Sequence, residues 1–143
     1  MDRFKSVKLS ALIALLCILT YGNAFGNTKI FQAAQRVFST YRMNVPVSEM
    51  HLEKMDSGSS IFVIHIDARR NNFDMALMVG FVAAGTAVKQ IGSDDISGIR
   101  IVVDVPYKET TIIQASSTIQ QVMHLVDGET KPEEFMRNDV IFT

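Results

Sequence analysis

A long apolar stretch in the middle of the chain constrains the fold more than any other feature. Phe73–Ile91 has the sequence FDMALMVGFVAAGTAVKQI, and no charged residue occurs between Met75 and Val88. Asn71 or Asn72 can cap the free amides at its start. A helix that is apolar on nearly all sides must be buried on nearly all sides. The rest of the chain must therefore fold around this segment.

One side of this predicted helix carries only small side chains. At about 100° per residue, five small residues fall on one stripe. They are Ala76, Gly80, Ala83, Ala84 and Ala87. Such a stripe lets a sheet or another helix approach closely. Two interpretations stay open: the helix is an internal core element, or its stripe is the interface of a homodimer.

Residues 1–26 have the pattern of a secretory signal peptide. A short charged region with Arg3, Lys5 and Lys8 precedes an apolar run of about 12 residues, and small residues follow before Asn27. The run is shorter than the ~20 residues that span a bilayer. We therefore expect cleavage and export, to the periplasm or outside the cell. The remaining domain, residues 27–143, is expected to have no stable membrane span.

Removal of the leader would change the composition of the chain. It would take away Cys17, the only cysteine, so the mature chain could form no disulfide. It would leave eleven basic and fourteen acidic residues, a formal net charge of −3. A mildly acidic chain without a basic stripe is a poor nucleic-acid binder. Stability must then come from apolar burial, which residues 27–143 are long enough to supply.

The pattern of apolar residues predicts an α+β domain. Helical spacing predicts helices over 27–42, 73–91 and 119–126, and alternation predicts strands over 47–55, 61–67, 99–105 and 109–115. Ser117 and Gln120 form a predicted capping box, and Pro132 opens a last short helix. The order α-β-β-α-β-β-α favours a single small domain with a mainly antiparallel, four-stranded sheet packed by helices.

The first predicted hairpin carries two of the three histidines. If Met50 and Leu52 face the core, His51 and His65 both lie on the outer face of the sheet. A five-residue DSGSS turn places His51 directly opposite His65. Directly opposed side chains have Cβ atoms about 5 Å apart.

Three carboxylates accompany these histidines in the predicted hairpin. Two imidazoles with Glu49, Glu53 and Asp67 nearby could ligate zinc or a similar divalent ion. The same carboxylates favour the protonated histidines, which gives a pH-sensor variant of the site. The simpler interpretation is that these residues form the solvated face of an antiparallel sheet.

The sequence carries no catalytic signature. The serines lack a nucleophile-elbow context, the helical glycines cannot form a phosphate loop, and EF-hand spacing is absent. Met75 and Met78 are interpreted as core filler rather than as a soft-metal site. No resident cofactor is expected.

Three function hypotheses follow. The first is an exported, non-enzymatic binding or accessory domain that acts through protein–protein contact or self-association. The second is a metal- or pH-responsive protein with its site on the hairpin at residues 47–67. The third is an enzyme whose site is dispersed over loops.

Overall fold

Helices and strands follow one another in the predicted order. The computed structural model describes residues 27–143, and the predicted signal peptide lies outside these described residues. Helix α1 covers residues 27–40. A 3₁₀ turn at Val47–Glu49 follows. The later elements are β1 (Met50–Lys54), β2 (Ser60–Asp67), α2 (Phe73–Ile91), β3 (Ile96–Val105), β4 (Thr111–Thr118), α3 (Ile119–Val126), α4 (Pro132–Asn138) and β5 (Ile141–Phe142).

The strands form one mixed sheet in the order β1-β2-β3-β4-β5. β2 and β3 are parallel, because α2 carries the chain back to the starting edge before β3 begins. The other three pairings are antiparallel. The α+β class and the mainly antiparallel sheet are confirmed. The sheet has five strands rather than the predicted four, since Ile141–Phe142 pairs with Ala115 and Ser116.

Two local details differ from the prediction. Val47–Glu49 is a 3₁₀ turn rather than the start of a strand, and the Glu49 amide donates to the Pro46 carbonyl at 3.0 Å. The capping box of α3 uses Thr118 and Gln121, one residue later than predicted. Ser117 is still part of β4, so the extended backbone that a cap needs comes one position further on.

Helices α1, α2 and α3 pack on one face of the sheet. Phe31 of α1 contacts Phe62 of β2, with 5.5 Å between the ring centroids. α2 contacts β2 and β3, and α3 contacts β3 and β4. The facing strand residues are fully or almost fully buried. They are Phe62, Ile64, Ile66, Ile99, Ile101, Val103 and Ala115.

Two glycines of α2 allow unusually close contact. A Cβ at Gly80 would lie 3.0 Å from two side-chain carbons of Ile101, and a Cβ at Gly85 would lie 2.6 Å from Cγ1 of Val122. Backbone of α2 is therefore in contact with β3 on one side and with α3 on another. This packing explains why the helix contains glycine despite its cost to helix stability.

α2 behaves as a core helix. Its length and composition would allow it to cross a membrane, but this is weak evidence, because many core helices are equally long and apolar. In the structure, 56% of its most apolar 18-residue window is buried inside the domain. It ends at Gly92, whose left-handed backbone (φ 72°) closes the helix as the C-cap residue.

We expect Gly85→Ala to destabilise the domain. The added methyl would overlap Val122 and would lie 2.8 Å from Cγ2 of Val126. Overpacking of this kind costs about 1–3 kcal/mol, whereas alanine gains up to about 1 kcal/mol over glycine inside a helix. The expected net result is a loss of up to about 2 kcal/mol in the free energy of unfolding, measured by urea denaturation.

The matched control is the double variant Gly85→Ala/Val122→Ala, which makes room for the new methyl group. It should lose less stability than the sum of the two single variants, because the two changes share one contact. A stability of Gly85→Ala clearly above that of the wild type would contradict the close packing of α2 on α3.

Candidate functional site

The outer face of the sheet, opposite the helices, carries the predicted histidine site. Strands β1 to β4 line a shallow depression of about 380 Å³ on this face. Val63 and Val102 lie at its floor and are only 2% and 7% exposed. His51, His65 and Arg100 line the same depression. The face is therefore a polar layer over a small apolar floor.

The histidines share the predicted face but not the predicted register. His51 pairs with Val63, so the β1–β2 ladder is shifted by two residues from the expected pairing with His65. The turn is shorter than expected, because the Met55 amide donates to the Ser59 carbonyl at 2.8 Å. Gly58, with φ 89°, supplies the left-handed residue that a three-residue hairpin loop needs.

The two imidazoles nevertheless meet, as diagonal neighbours on adjacent strands. Their ring centroids lie 5.7 Å apart and the ring planes are 26° from parallel. The shift by two residues preserves the side-chain face, since the period of a strand is two. His51 is exposed and His65 is half-buried. Both rings can reach a ligand on the outer face.

Glu53 forms an ion pair with Arg100 of strand β3. One of its carboxylate oxygens accepts a hydrogen bond at 2.8 Å from the Arg100 guanidinium on β3. The two side chains are 47% and 27% exposed, so the ion pair is worth at most about 1 kcal/mol. Arg100 thus directs the carboxylate of Glu53 toward β3.

Glu49 and Asp67 lie at the other end of the hairpin. Both line a cavity of about 170 Å³ between the 43–49 segment, the end of β2 and the start of α2. His65 also lines this cavity. It therefore lies between the cavity and the depression on the outer face.

The five predicted ligands do not converge on one point. Among residues 27–143, no group of three or more His, Cys, Asp or Glu side chains is arranged to hold a metal ion. The hairpin offers two neighbouring imidazoles, while Glu53 pairs with Arg100 and both Glu49 and Asp67 line the 170 Å³ cavity. Two protein ligands are fewer than the three or four of an established zinc site.

The small-residue stripe of α2 is buried inside the subunit. Ala83, Ala84 and Ala87 are 0% exposed, Ala76 is 2% exposed, and Gly80 packs on Ile101. These side chains are not accessible to a second copy of the chain. All five residues of the stripe are therefore part of the buried core of the domain.

Sequence reasoning missed two features of the sheet. Arg100 alternates with core residues along β3, but its place beside Glu53 depends on the parallel β2–β3 pairing, which the sequence did not predict. The second feature is the edge formed by β4 and β5. Ile112, Ile141 and Phe142 are 58%, 68% and 51% exposed there. The only sequence signal for this edge was that these three residues are apolar.

Comparisons with known proteins add no further constraint. No family model, curated protein or solved structure matches the chain.

Proposed function

We propose that this protein is an exported, non-enzymatic binding domain that acts through protein–protein contact, and that self-association is its primary mode. Export is supported by the charged and apolar pattern of residues 1–26. The observation that carries the binding proposal is the open apolar edge of the sheet at β4 and β5.

The backbone of this edge has free pairing capacity. β5 consists of two residues and pairs only with Ala115 and Ser116 of the eight-residue β4. One more backbone hydrogen bond follows, from the Thr143 amide to the Gln114 carbonyl at 3.0 Å. The sheet order ends at β5 within residues 27–143. Unpaired strand edges are templates for pairing with another chain.

The side chains of the edge favour association over protection. Natural edges are usually shielded by charged residues or proline, whereas this one presents Ile112, Ile141 and Phe142 with more than half of each side chain exposed. Exposed apolar groups next to an open edge are characteristic of strand-addition interfaces.

A second copy of the chain is the partner that the geometry favours. A two-fold axis beside an edge strand pairs that strand antiparallel with its own copy, and the apolar residues of both copies then meet. The buried stripe of α2 supplies no competing interface, because it is occupied by the core.

Ile141→Lys should weaken this self-association. A charge on an edge strand opposes strand addition, and loss of a central apolar contact costs at least about 1 kcal/mol, or roughly fivefold in the dissociation constant. Ile141 is 68% exposed, so the fold should survive. The measurement is sedimentation velocity of the purified protein from micromolar to millimolar concentration.

The matched control is Met55→Lys, which places the same charge on an exposed apolar residue of the distant β1–β2 turn. It should associate like the wild type. A protein that stays monomeric over the whole range would contradict self-association. Equal weakening in both variants would place the interface elsewhere.

A second candidate function is a metal- or proton-responsive site at His51 and His65. The stacked rings, 5.7 Å apart between centroids, favour it. Two neighbouring imidazoles can bind one zinc ion together with water. Glu49, Glu53 and Asp67 are carboxylates of the same hairpin.

Zinc should raise the melting temperature if this candidate is correct. A ligand at about 100 times its dissociation constant adds about 2.7 kcal/mol to the stability. The shift should disappear in His51→Ala and in His65→Ala, and it should persist in His124→Ala, which removes the histidine of α3. A melting temperature that zinc leaves unchanged would contradict the metal form of the site.

A further inference from the structure

A groove between α2 and α4 is built around three methionine side chains. Its volume is about 330 Å³, and Met75, Met78 and Met136 line it together with Pro132. All of its lining residues belong to α2 and α4, and none of them belongs to the histidine hairpin or to β4 and β5.

The fold brings the three methionines together from two helices. Met75 and Met78 are three residues apart on α2, a spacing that places them on the same helix face. Met136 comes from α4, which is docked by its neighbour Phe135. The Phe135 ring is fully buried and meets Phe81 edge-on, with centroids 5.2 Å apart. The two sides of the groove are thus fixed by a packed core contact.

The exposure of these methionines differs from that of core filler. Met75 is 54% exposed, against the expectation from its place in an apolar helix. Met78 and Met136 are partly buried at the surface of the core. Methionine has three rotatable bonds and a polarizable sulfur. Its thioether can therefore turn toward a ligand in the groove while the backbone of each helix stays in place.

The charged residues of the groove are negative. Asp74 and Glu133 line it, each in the first turn of its helix. Neither carboxylate takes part in an ion pair within residues 27–143. They would offset the charge of a cation bound between the helices.

From this arrangement we propose that the groove binds a soft monovalent metal ion, Cu(I), through the thioether sulfurs of Met75, Met78 and Met136. Thioethers are soft ligands that select Cu(I) over hard cations such as Mg²⁺ and Ca²⁺. The carboxylates of Asp74 and Glu133 act through charge at the rim. The site is independent of self-association and of the histidine pair.

Titration with Ag(I), a redox-stable ion of the same charge and softness, tests the proposal. The probe is silver nitrate, and the readout is NMR of protein labelled with ¹³C in the methionine methyl groups. Cys17 is replaced by serine in every sample, so that no thiol competes. The methyl signals of Met75, Met78 and Met136 should shift together and saturate at one ion per chain. The signal of Met55, exposed on a distant turn, should stay in place.

Two variants test the ligands directly. Met75→Leu and Met136→Leu should each weaken Ag(I) binding at least about tenfold, because each removes one soft donor. Leucine and methionine are close in volume, so the fold should be preserved. Met55→Leu is the matched control and should bind like the parent. A His51→Ala/His65→Ala protein should also keep the site.

Three results would overturn the proposal. One is unchanged Ag(I) affinity in both groove variants. Another is a shift of all methionine signals to the same extent, which would indicate unspecific binding. The last is loss of binding in the histidine variant, which would place the ion on the outer face of the sheet. The methyl shifts of the parent protein decide the question even if one leucine variant fails to fold.

Discussion

The structure depends on the close approach of α2 to its neighbours. The backbone at Gly80 lies against Ile101 of β3, and the backbone at Gly85 lies against Val122 of α3. An apolar helix in a chain of this size has little material to cover it, and it must therefore touch both the sheet and another helix. Glycine and alanine supply that contact. The cost to intrinsic helix stability is accepted because tertiary packing provides most of the stability of a protein helix.

This packing leaves the other face and one edge of the sheet open. Because α1, α2 and α3 lie on one side, the other face of β1 to β3 carries no helix, and His51 and His65 stack there. The chain returns to the sheet only as the two-residue β5, which leaves Ile112 and Ile141 exposed. The same docking of helices forms the methionine groove between α2 and α4. All three candidate surfaces follow from a core with helices on one side.

The sequence predicted the parts of the fold that depend on local pattern. The bounds of α2 were predicted as observed, and the faces of β1 and β2 were assigned correctly, because burial imposes a period of 3.6 or 2 on apolar residues. Features that depend on long-range pairing were missed. The register of the hairpin depends on Gly58. Strand β5 consists of two residues, too few to show an alternating pattern. The parallel β2–β3 pairing determines that Arg100 is the side chain that meets Glu53. The sequence therefore predicted which face of the sheet carries the histidines, but not the pairing of the strands that sets the positions of their rings. Met136 could not be linked to Met75 from the sequence, since α4 is docked by Phe135.

The most direct test of this account is amide hydrogen exchange of α2 in the purified protein, without detergent and at several protein concentrations. The account predicts that amides from Val82 to Val88 exchange only through global unfolding, as slowly as those of β3, and at rates that do not change with concentration. Fast exchange in this segment would contradict it. So would protection that appears only at high concentration or with lipid, because α2 would then be covered by a partner or a membrane rather than by its own sheet.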